Sequence, residues 1–270
     1  MIDAHTHLHP PRLFAAIRRW FAERSSWKLE TQPTEPLAVA AALRAAGVER
    51  FVFFSYAHRT GMAREINAWL CATARELHGF GVPLATVHLD DPDYLDDLER
   101  ALAGGCAGLK IHEDVQRLAV DDARFDLVYR RITEAGGVVV AHVGPVPWNN
   151  APAGGPARVE RVLVRHPELQ FVVAHMGVPD TQAYCALTER HARLYLDTTM
   201  VLARGSPLAL PSNAALVGRY AERILYGTDF PNIPYPYLAE RRALENLHLP
   251  GPALERILGG NARRLLARFL

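Results

Sequence analysis

The sequence predicts an α/β fold in which eight parallel strands, each followed by a helix, close into a (β/α)8 barrel. Three observations predict it. Apolar runs alternate with helical segments almost to the end of the 270 residues. Two runs, Val138-Val139-Val140-Ala141 and Phe171-Val172-Val173-Ala174, are continuously apolar and β-branched, as parallel strands covered on both faces require. Several runs end in His, Lys or Asp, at the strand ends where a barrel gathers its site. An open doubly wound sheet is the alternative, but no Gly-x-Gly-x-x-Gly follows the first strand.

The expected strands are 2–7, 50–56, 83–88, 108–112, 137–142, 170–175, 194–198 and 223–228. The segment 8–33 interrupts the rhythm after the first of them, with Phe14, Trp20, Phe21 and Trp27 set among Arg18, Arg19 and Arg24. Its spacing allows an amphipathic helix. Following a strand, it lies at the catalytic face, where it is open to use as a lid, a pocket wall or an interface; an extra helix packed on the barrel is the plainer reading. Thr34-Glu35-Pro36 opens the next helix as a cap followed by an early Pro, and Gly47 closes it. Helices are expected over 63–77 and 92–102. Asp121-Asp122 opens another and Gly136-Gly137 ends it. The loop 144–156 holds Pro145, Pro147, Trp148, Asn149 and Asn150; it can shape the pocket mouth, and Trp148 is its candidate substrate contact. Helices over 156–165 and 179–191 follow. The last segment, 250–270, reads as two short helices split at Gly259-Gly260. Asn261 caps the second, and Leu265, Leu266 and Phe269 close the barrel bottom.

Composition narrows the class. A hydrophobic fraction of 49% with 22% charged residues fits a globular chain with a large core, expected as one domain over 1–270. The net charge of +1 gives no field for nucleic acid or an anionic membrane, and no apolar run is long enough to span a bilayer. The first strand begins at Ile2, leaving no room for a leader, and Cys71, Cys106 and Cys185 read as reduced thiols. The expected location is therefore cytoplasmic. A small-molecule substrate is the expected partner, and a homo-oligomer is allowed.

The strand ends carry the chemistry. In Asp3-Ala4-His5-Thr6-His7, strand alternation turns Asp3, His5 and His7 to one face. Two His at i, i+2 have a metal-ligand spacing. In a chain with 12 His, such a pair alone is more often coincidence. A consistent inward phase adds Lys110, His112, His142, His175 and Asp229. An unpaired charge inside a barrel costs several kcal/mol, on the order of the usual buried-charge penalties. A metal ion with a polar substrate supplies a reason for it. Singly, each residue has a plainer use: a His can bond a loop carbonyl and an Asp can cap the next helix. Together they favour a shared site. His88 is open to a pocket or a structural role. His58, Arg59 and Arg64 follow the second strand, where an Arg can clamp an anion, although Arg64 reads as helix surface. Asp197-Thr198-Thr199 is expected to bond other loops.

Asp3-Ala4-His5-Thr6-His7, Gly108-Leu109-Lys110-Ile111-His112, Ala174-His175-Met176-Gly177, Gly227-Thr228-Asp229-Phe230-Pro231 and Gly260-Asn261-Ala262 together resemble the amidohydrolase superfamily. Within it they are most similar to the amidohydrolase-related group often called amidohydrolase family 2. The likeness runs from residue 2 to about 264. The resemblance implies a distorted (β/α)8 TIM barrel with one divalent metal, zinc by expectation, held by His5, His7, His142 and Asp229. It leaves His175 as the catalytic or carbonyl-polarising His. Asp229 would also take the proton of a metal-activated water and pass it to the leaving group. Lys110 is read as an ammonium that binds a substrate carboxylate or phosphate. A carbamate bridging two metals is the alternative. His112 is read as substrate-facing, and Asp3 as orienting a ligand His.

The resembled group holds hydrolases, lactonases and decarboxylases related to aminocarboxymuconate semialdehyde decarboxylase. Hydrolysis of a small carboxylated lactone, ester or amide is the expectation, because the resembled decarboxylases are usually longer. Nonoxidative decarboxylation is the alternative, and a metal-free ligand-binding barrel the third reading. The superfamily's deoxyribonucleases carry Glu where Lys110 stands here.

Overall fold

The computed structural model describes residues 1–25, 27, 29, 32–144, 146, 154–209 and 211–270. Its strands are β1 Ile2–His7, β2 Arg50–Phe54, β3 Gly81–Leu84, β4 Gly108–His112, β5 Val138–His142, β6 Gln170–Val173, β7 Leu194–Asp197 and β8 Ile224–Leu225. All pair in parallel, β1 to β3 in one ladder and β4 to β8 in another. Backbone bonds close the two gaps. Ala107 N donates to Pro83 O, Ala85 N to Gly108 O and Lys110 N to Ala85 O, each at 2.8 Å. On the other side Ala4 N donates to Tyr226 O and His7 N to Phe230 O at 2.8 Å, and Asp229 N to His5 O at 2.9 Å. The result is a closed, irregular (β/α)8 barrel.

The helices are α1 Pro11–Arg24, α2 Pro36–Ala45, α3 Ala63–Glu76, α4 Tyr94–Ala103, α5 Glu113–Gln116, α6 Phe125–Glu134, α7 Gly155–Arg165, α8 Thr181–Arg190, α9 Pro211–Arg219, α10 Ala239–Glu245, α11 Gly251–Glu255 and α12 Asn261–Leu265. α5, α9 and α10 fall where no helix was expected. Several expected ends shift. The side chains of Thr34 and Glu35 cap nothing, so α2 begins on the fixed φ of Pro36 alone. Asp122 holds the N–H of Arg124, so α6 starts at Phe125 rather than at the Asp pair. Asn261 is not a cap: its Nδ2 donates to Ala221 O and Ile224 O at 2.8 and 2.7 Å, tying α12 to β8. Strands β2, β3, β6 and β8 end earlier than expected, and past β6 and β8 the backbone turns left-handed at His175 and Asp229. Cys71, Cys106 and Cys185 are free and buried, and Cys71 and Cys106 meet with Sγ atoms 3.6 Å apart. Among the described residues no helix is long and apolar enough to cross a membrane.

Alternation sorts the strand side chains. Val52, Phe54, Val82, Leu84, Val138, Val140, Val172, Tyr195 and Leu225 fill the barrel interior, with Leu265, Leu266 and Phe269 packed against them as expected. Leu109, Ile111, Val139, Ala141, Phe171 and Val173 face the helices. Phe54 is the upper limit of the apolar interior. Its ring lies 4.8 Å from His5, 4.9 Å from His7 and 4.4 Å from Lys110 Nζ, so the polar site rests on it.

Two tight points give predictions. Gly108 starts β4 with φ +152°, and a Cβ there would lie 1.9 Å from the backbone oxygen of Val138. Gly108→Ala should therefore destabilise by roughly 3–5 kcal/mol, read as a lowered urea midpoint. Glu240 at the start of α10 is buried and accepts from Leu202 N and Ala203 N, both at 2.9 Å. Burial pushes its carboxyl up to about 8 despite those donors. The folded state then keeps a proton that the unfolded chain has shed, and its contribution to stability falls as pH rises from about 4.5 towards 8. Glu240→Gln should flatten that part of the pH profile, measured as urea midpoints from pH 5 to 8.

Candidate active site

The C-terminal ends of the strands surround a cavity of about 440 Å3. His5, His7, Lys110, His112, His142, His175 and Asp229 all line it. The structure thus brings together seven of the eight predicted site residues. The eighth, Trp148, lies outside the described residues. Four reach the cavity by routes other than simple strand alternation. A bulge between Asp3 and Thr6 shifts the phase of β1. Ile2 and Ala4 therefore face the interior, while His5 and His7 still face the site. Asp3 does not share their face. Its Oδ1 accepts from His5 N at 3.2 Å, and its Oδ2 from Thr228 Oγ1 and Tyr237 Oη at 2.7 and 3.0 Å. It positions the His5 backbone from behind. His175 would face outward if β6 continued, since Val172 faces in. Left-handed backbone at His175 (φ 55°) turns it back. Asp229 is left-handed as well, at φ 72°. Such conformations cost about 1–3 kcal/mol each and persist where surrounding contacts hold them. Here Asp229 N is held by His5 O, and His175 N by Asp197 Oδ1 at 2.8 Å.

Asp197 is the residue that sequence reasoning left outside the site. It is fully buried and accepts from three donors: His5 Nδ1 at 2.8 Å, His175 N at 2.8 Å and Thr199 N at 3.1 Å. Burial opposes its charge, but the His5 imidazole outweighs that and holds its carboxyl down to about 2. The signal was present: Asp197 is in phase with inward Tyr195 on a strand end. Tyr56 was missed too. It lines the cavity with its ring 5.3 Å from His112 and 5.9 Å from His7. His58 lines the cavity, but His88 is not in its wall; His88 Nδ1 faces Asp90 N at 3.4 Å. Arg64 pairs with Asp93 and Asp97 at the surface, as expected.

Hydrogen bonds fix which ring nitrogen faces inward. With Nδ1–H given to Asp197, neutral His5 turns its Nε2 lone pair to the cavity. With Nδ1–H given to Thr199 O at 3.0 Å, His175 does the same. His112 is opposite: its Nδ1 accepts from Val115 N at 3.5 Å, leaving Nε2–H to donate. Of the two rings, His112 presents an N–H and His175 a lone pair. The neutral forms are favoured. Burial lowers His7 to about 4 and holds His142 and His112 well below, and His175 below, the ordinary imidazole value. His5 is the exception. Burial and Lys110 push it down, and the Asp197 and Asp229 carboxylates more than offset them.

The most concentrated contact is at Asp229. Its Oδ1 lies 3.1 Å from His5 Nε2 and 3.0 Å from His7 Nε2. Burial would raise its carboxyl, but His7 and His5 pull it well below the usual range. Lys110 Nζ stands 3.4 Å from His5 Nε2, and burial lowers it to about 8 against the pull of the Asp197 and Asp229 carboxylates. His142 stacks on His112 with centroids 4.0 Å apart and meets the edge of His175 at 4.7 Å. Ligand atoms of His5, His175 and Asp229 all lie within 4.8 Å of one another. Inward imidazole lone pairs beside an ionised, half-buried carboxylate suit a divalent cation. The buried Nδ1 of His7 has no partner among the described residues.

The family model described as amidohydrolase matches residues 2–268. An uncharacterised TIM-barrel protein from Bordetella bronchiseptica superposes with a TM-score of 0.75 at 23% identity, covering 100% of this chain and 99% of that one. A probable 2-pyrone-4,6-dicarboxylic acid hydrolase from Acinetobacter baumannii, with citric acid bound, gives 0.67 at 15% identity, covering 98% of each chain. A 5-carboxyvanillate decarboxylase from Novosphingobium aromaticivorans, complexed with manganese and 4-hydroxy-3-methoxy-5-nitrobenzoic acid, gives 0.67 at 15% identity. That match covers 98% of this chain and 95% of the other. These likenesses concern the fold. A search of curated proteins finds no match.

Asp197→Ala strands three buried N–H donors, each worth about 1–3 kcal/mol when left unpaired. The variant should lose about 3 kcal/mol or more of stability by urea unfolding, and the hydrogen-bonded proton on His5 Nδ1 should vanish from the imidazole NMR spectrum. A loss under about 1 kcal/mol would show that Asp197 does not anchor the His5 imidazole and the His175 backbone.

Proposed function

The chain belongs to the amidohydrolase family, and from that premise we propose that it is a metal-dependent hydrolase. It acts on a small carboxylated lactone, ester or amide. The observation that carries this reading is the half-buried Asp229 carboxylate, whose one oxygen faces both His5 and His7 Nε2 in the cavity. A carboxylate kept ionised there can bind a cation and accept a proton.

His5, His7, His142 and Asp229 would hold one divalent ion, with the His175 lone pair turned into the same space. The imidazole-rich set favours zinc, and manganese is the ion named for one solved neighbour. When bound, the ion supplies Lewis acidity, which brings the pKa of water to about 7 and polarises a substrate oxygen. Asp229 accepts the proton of the attacking water and returns it to the leaving group. His175, with Nδ1–H fixed on Thr199, orients that water through its Nε2 lone pair. His112 Nε2–H and the Lys110 ammonium bind the substrate carboxylate or the developing oxyanion. Lys110 as an ammonium fits its seat over the face of Phe54, where a cation is stabilised and a carbamate anion is not.

A second reading, nonoxidative decarboxylation by the same residues, draws support from the cavity wall. Trp20, Phe21, Trp27 and Tyr56 line it, and such a wall suits a planar unsaturated acid.

The test is a panel of lactones, esters, amides and unsaturated acids offered to metal-loaded protein in ¹⁸O-water. Incorporation of ¹⁸O into product is expected; carbon dioxide release without it would overturn hydrolysis. Asp229→Asn should lower kcat by about 10²–10⁴-fold while the native circular dichroism is retained. Chelation should abolish turnover and zinc or manganese restore it. A fully active Asp229→Asn protein would remove Asp229 from its assigned role.

A further inference from the structure

We propose that Cys71 and Cys106 form a reversible oxidation site, in which a hydroperoxide joins the two thiols as a disulfide that fastens α3 to the entrance of β4. Both cysteines belong to the apolar layer between strands and helices, and neither lines the cavity. The inference therefore does not depend on the reaction proposed above.

Two buried cysteines in contact ordinarily pack as small apolar groups. Three observations carry this pair further. The first is approach. Cys71 stands in α3 and Cys106 between α4 and β4, with Sγ atoms 3.6 Å apart. A disulfide bond is about 2 Å long, so the sulfurs need to close by about 1.5 Å. The second is where that movement goes. α3 is pinned one turn before Cys71: Asn67 Nδ2 donates to Thr86 O at 2.9 Å, and Asn67 Oδ1 accepts from Thr86 N at 2.8 Å. The start of β4 is pinned at Ala107, whose N donates to Pro83 O at 2.8 Å and whose O accepts from Val138 N at 3.0 Å. The slack lies between them, at Gly104-Gly105. A Cβ on Gly104 would lie 2.8 Å from Cys71 Sγ, so glycine there lets the turn approach the thiol. Gly105 is left-handed at φ +103°, with nothing within 4 Å of where its Cβ would stand.

The third observation is asymmetry. Cys71 keeps 6% of its surface exposed, against 1% for Cys106 and 0% for Cys185. Cys71 Sγ donates to Ala101 O at 3.7 Å, which leaves Cys106 to donate its S–H to Cys71. That donor, helped by Arg75 one turn on, holds the Cys71 thiol down to about 7 against its burial. Burial pushes the Cys185 thiol up to about 12. The thiolate is the nucleophile, and a hydroperoxide is small enough to reach one so nearly covered. With hydrogen peroxide, the Cys71 thiolate attacks one oxygen, the O–O bond breaks, and the departing hydroxide takes up the proton that Cys71 shed. Cys71 is then a sulfenic acid. The Cys106 sulfur attacks the Cys71 sulfur, the S–O bond breaks, and the departing oxygen carries off the Cys106 proton as water. Two thiols are oxidised to one disulfide, and one peroxide is reduced to two waters. A dithiol reverses the change by exchange.

Hydrogen peroxide added to the full chain tests this. Titratable thiols, counted in denaturant, should fall from three to one. A peptide map should join Cys71 to Cys106, and dithiothreitol should restore every thiol. Cys185→Ser should still close the bridge. Cys106→Ser should not, and should leave a Cys71 sulfenic acid that dimedone traps. The oxidised protein should melt roughly 5–10 °C above the reduced one, a difference that Cys106→Ser lacks. The hydrogen-bonded proton on His5 Nδ1 should keep its chemical shift, because the movement stops at Ala107. Three thiols surviving peroxide, a bridge that includes Cys185, or a bridge between two chains would overturn the oxidation site. A Cys71–Cys106 bridge that leaves melting unchanged or lowers it would overturn the fastening of α3. A displaced His5 proton would overturn the confinement of the movement to the turn.

Discussion

The Asp229 carboxylate, placed between the imidazoles of His5 and His7, is the interaction on which the upper half of the barrel depends. Charges are costly inside a barrel. Asp229, Asp197 and Lys110 are nonetheless assembled in one space with five imidazoles above a floor of Phe54 and valines. The arrangement is tolerable because opposite charges face each other across short distances and because burial keeps most of the imidazoles neutral. Asp197 extends the arrangement outward. It fixes the His5 ring and the His175 backbone at once, while Thr199 O fixes the His175 ring.

The division of labour follows from this. His5, His7, Lys110, His112, His142, His175 and Asp229 sit on or just past strand ends, where the ladder and the left-handed turns at His175 and Asp229 hold them. Leu13, Ala16, Ile17 and Trp20 line the cavity from α1, which the ladder does not constrain. His112 is tied further. Its backbone N–H is held by Gln116 Oε1 at 2.8 Å, and Gln116 Nε2 in turn reaches Ala57 O and Val87 O at 3.1 and 2.9 Å. One buried amide thus aligns the ends of three neighbouring strands.

The fold was legible because parallel strands buried on both faces leave continuous runs such as Val138 to Ala141. The site was legible because polar residues at the ends of such runs are costly, which is why Lys110, His142 and Asp229 stood out. What escaped were departures from period two. The bulge in β1 separates Asp3 from His5 and His7, and the left-handed turn brings His175 round; neither leaves a signature in residue type. Asp197 was visible in phase but was read as a loop tie, because its partner His5 lies 192 residues away. The role of α1 was left open because its aromatics suit a core as well as a cavity, and only the location of the cavity decides between them.

The barrel seam has a consequence of its own. β8 joins β1 through bonds from Ala4, His7 and Asp229, so the first and last strands meet at the place where Asp229 meets His5 and His7. The ring cannot be closed without assembling the site, and the site cannot exist in an open ring. Assembly of the chemistry is therefore the same event as completion of the fold. A nascent or partly unravelled chain without β8 seated leaves His5 and His7 with no carboxylate between them.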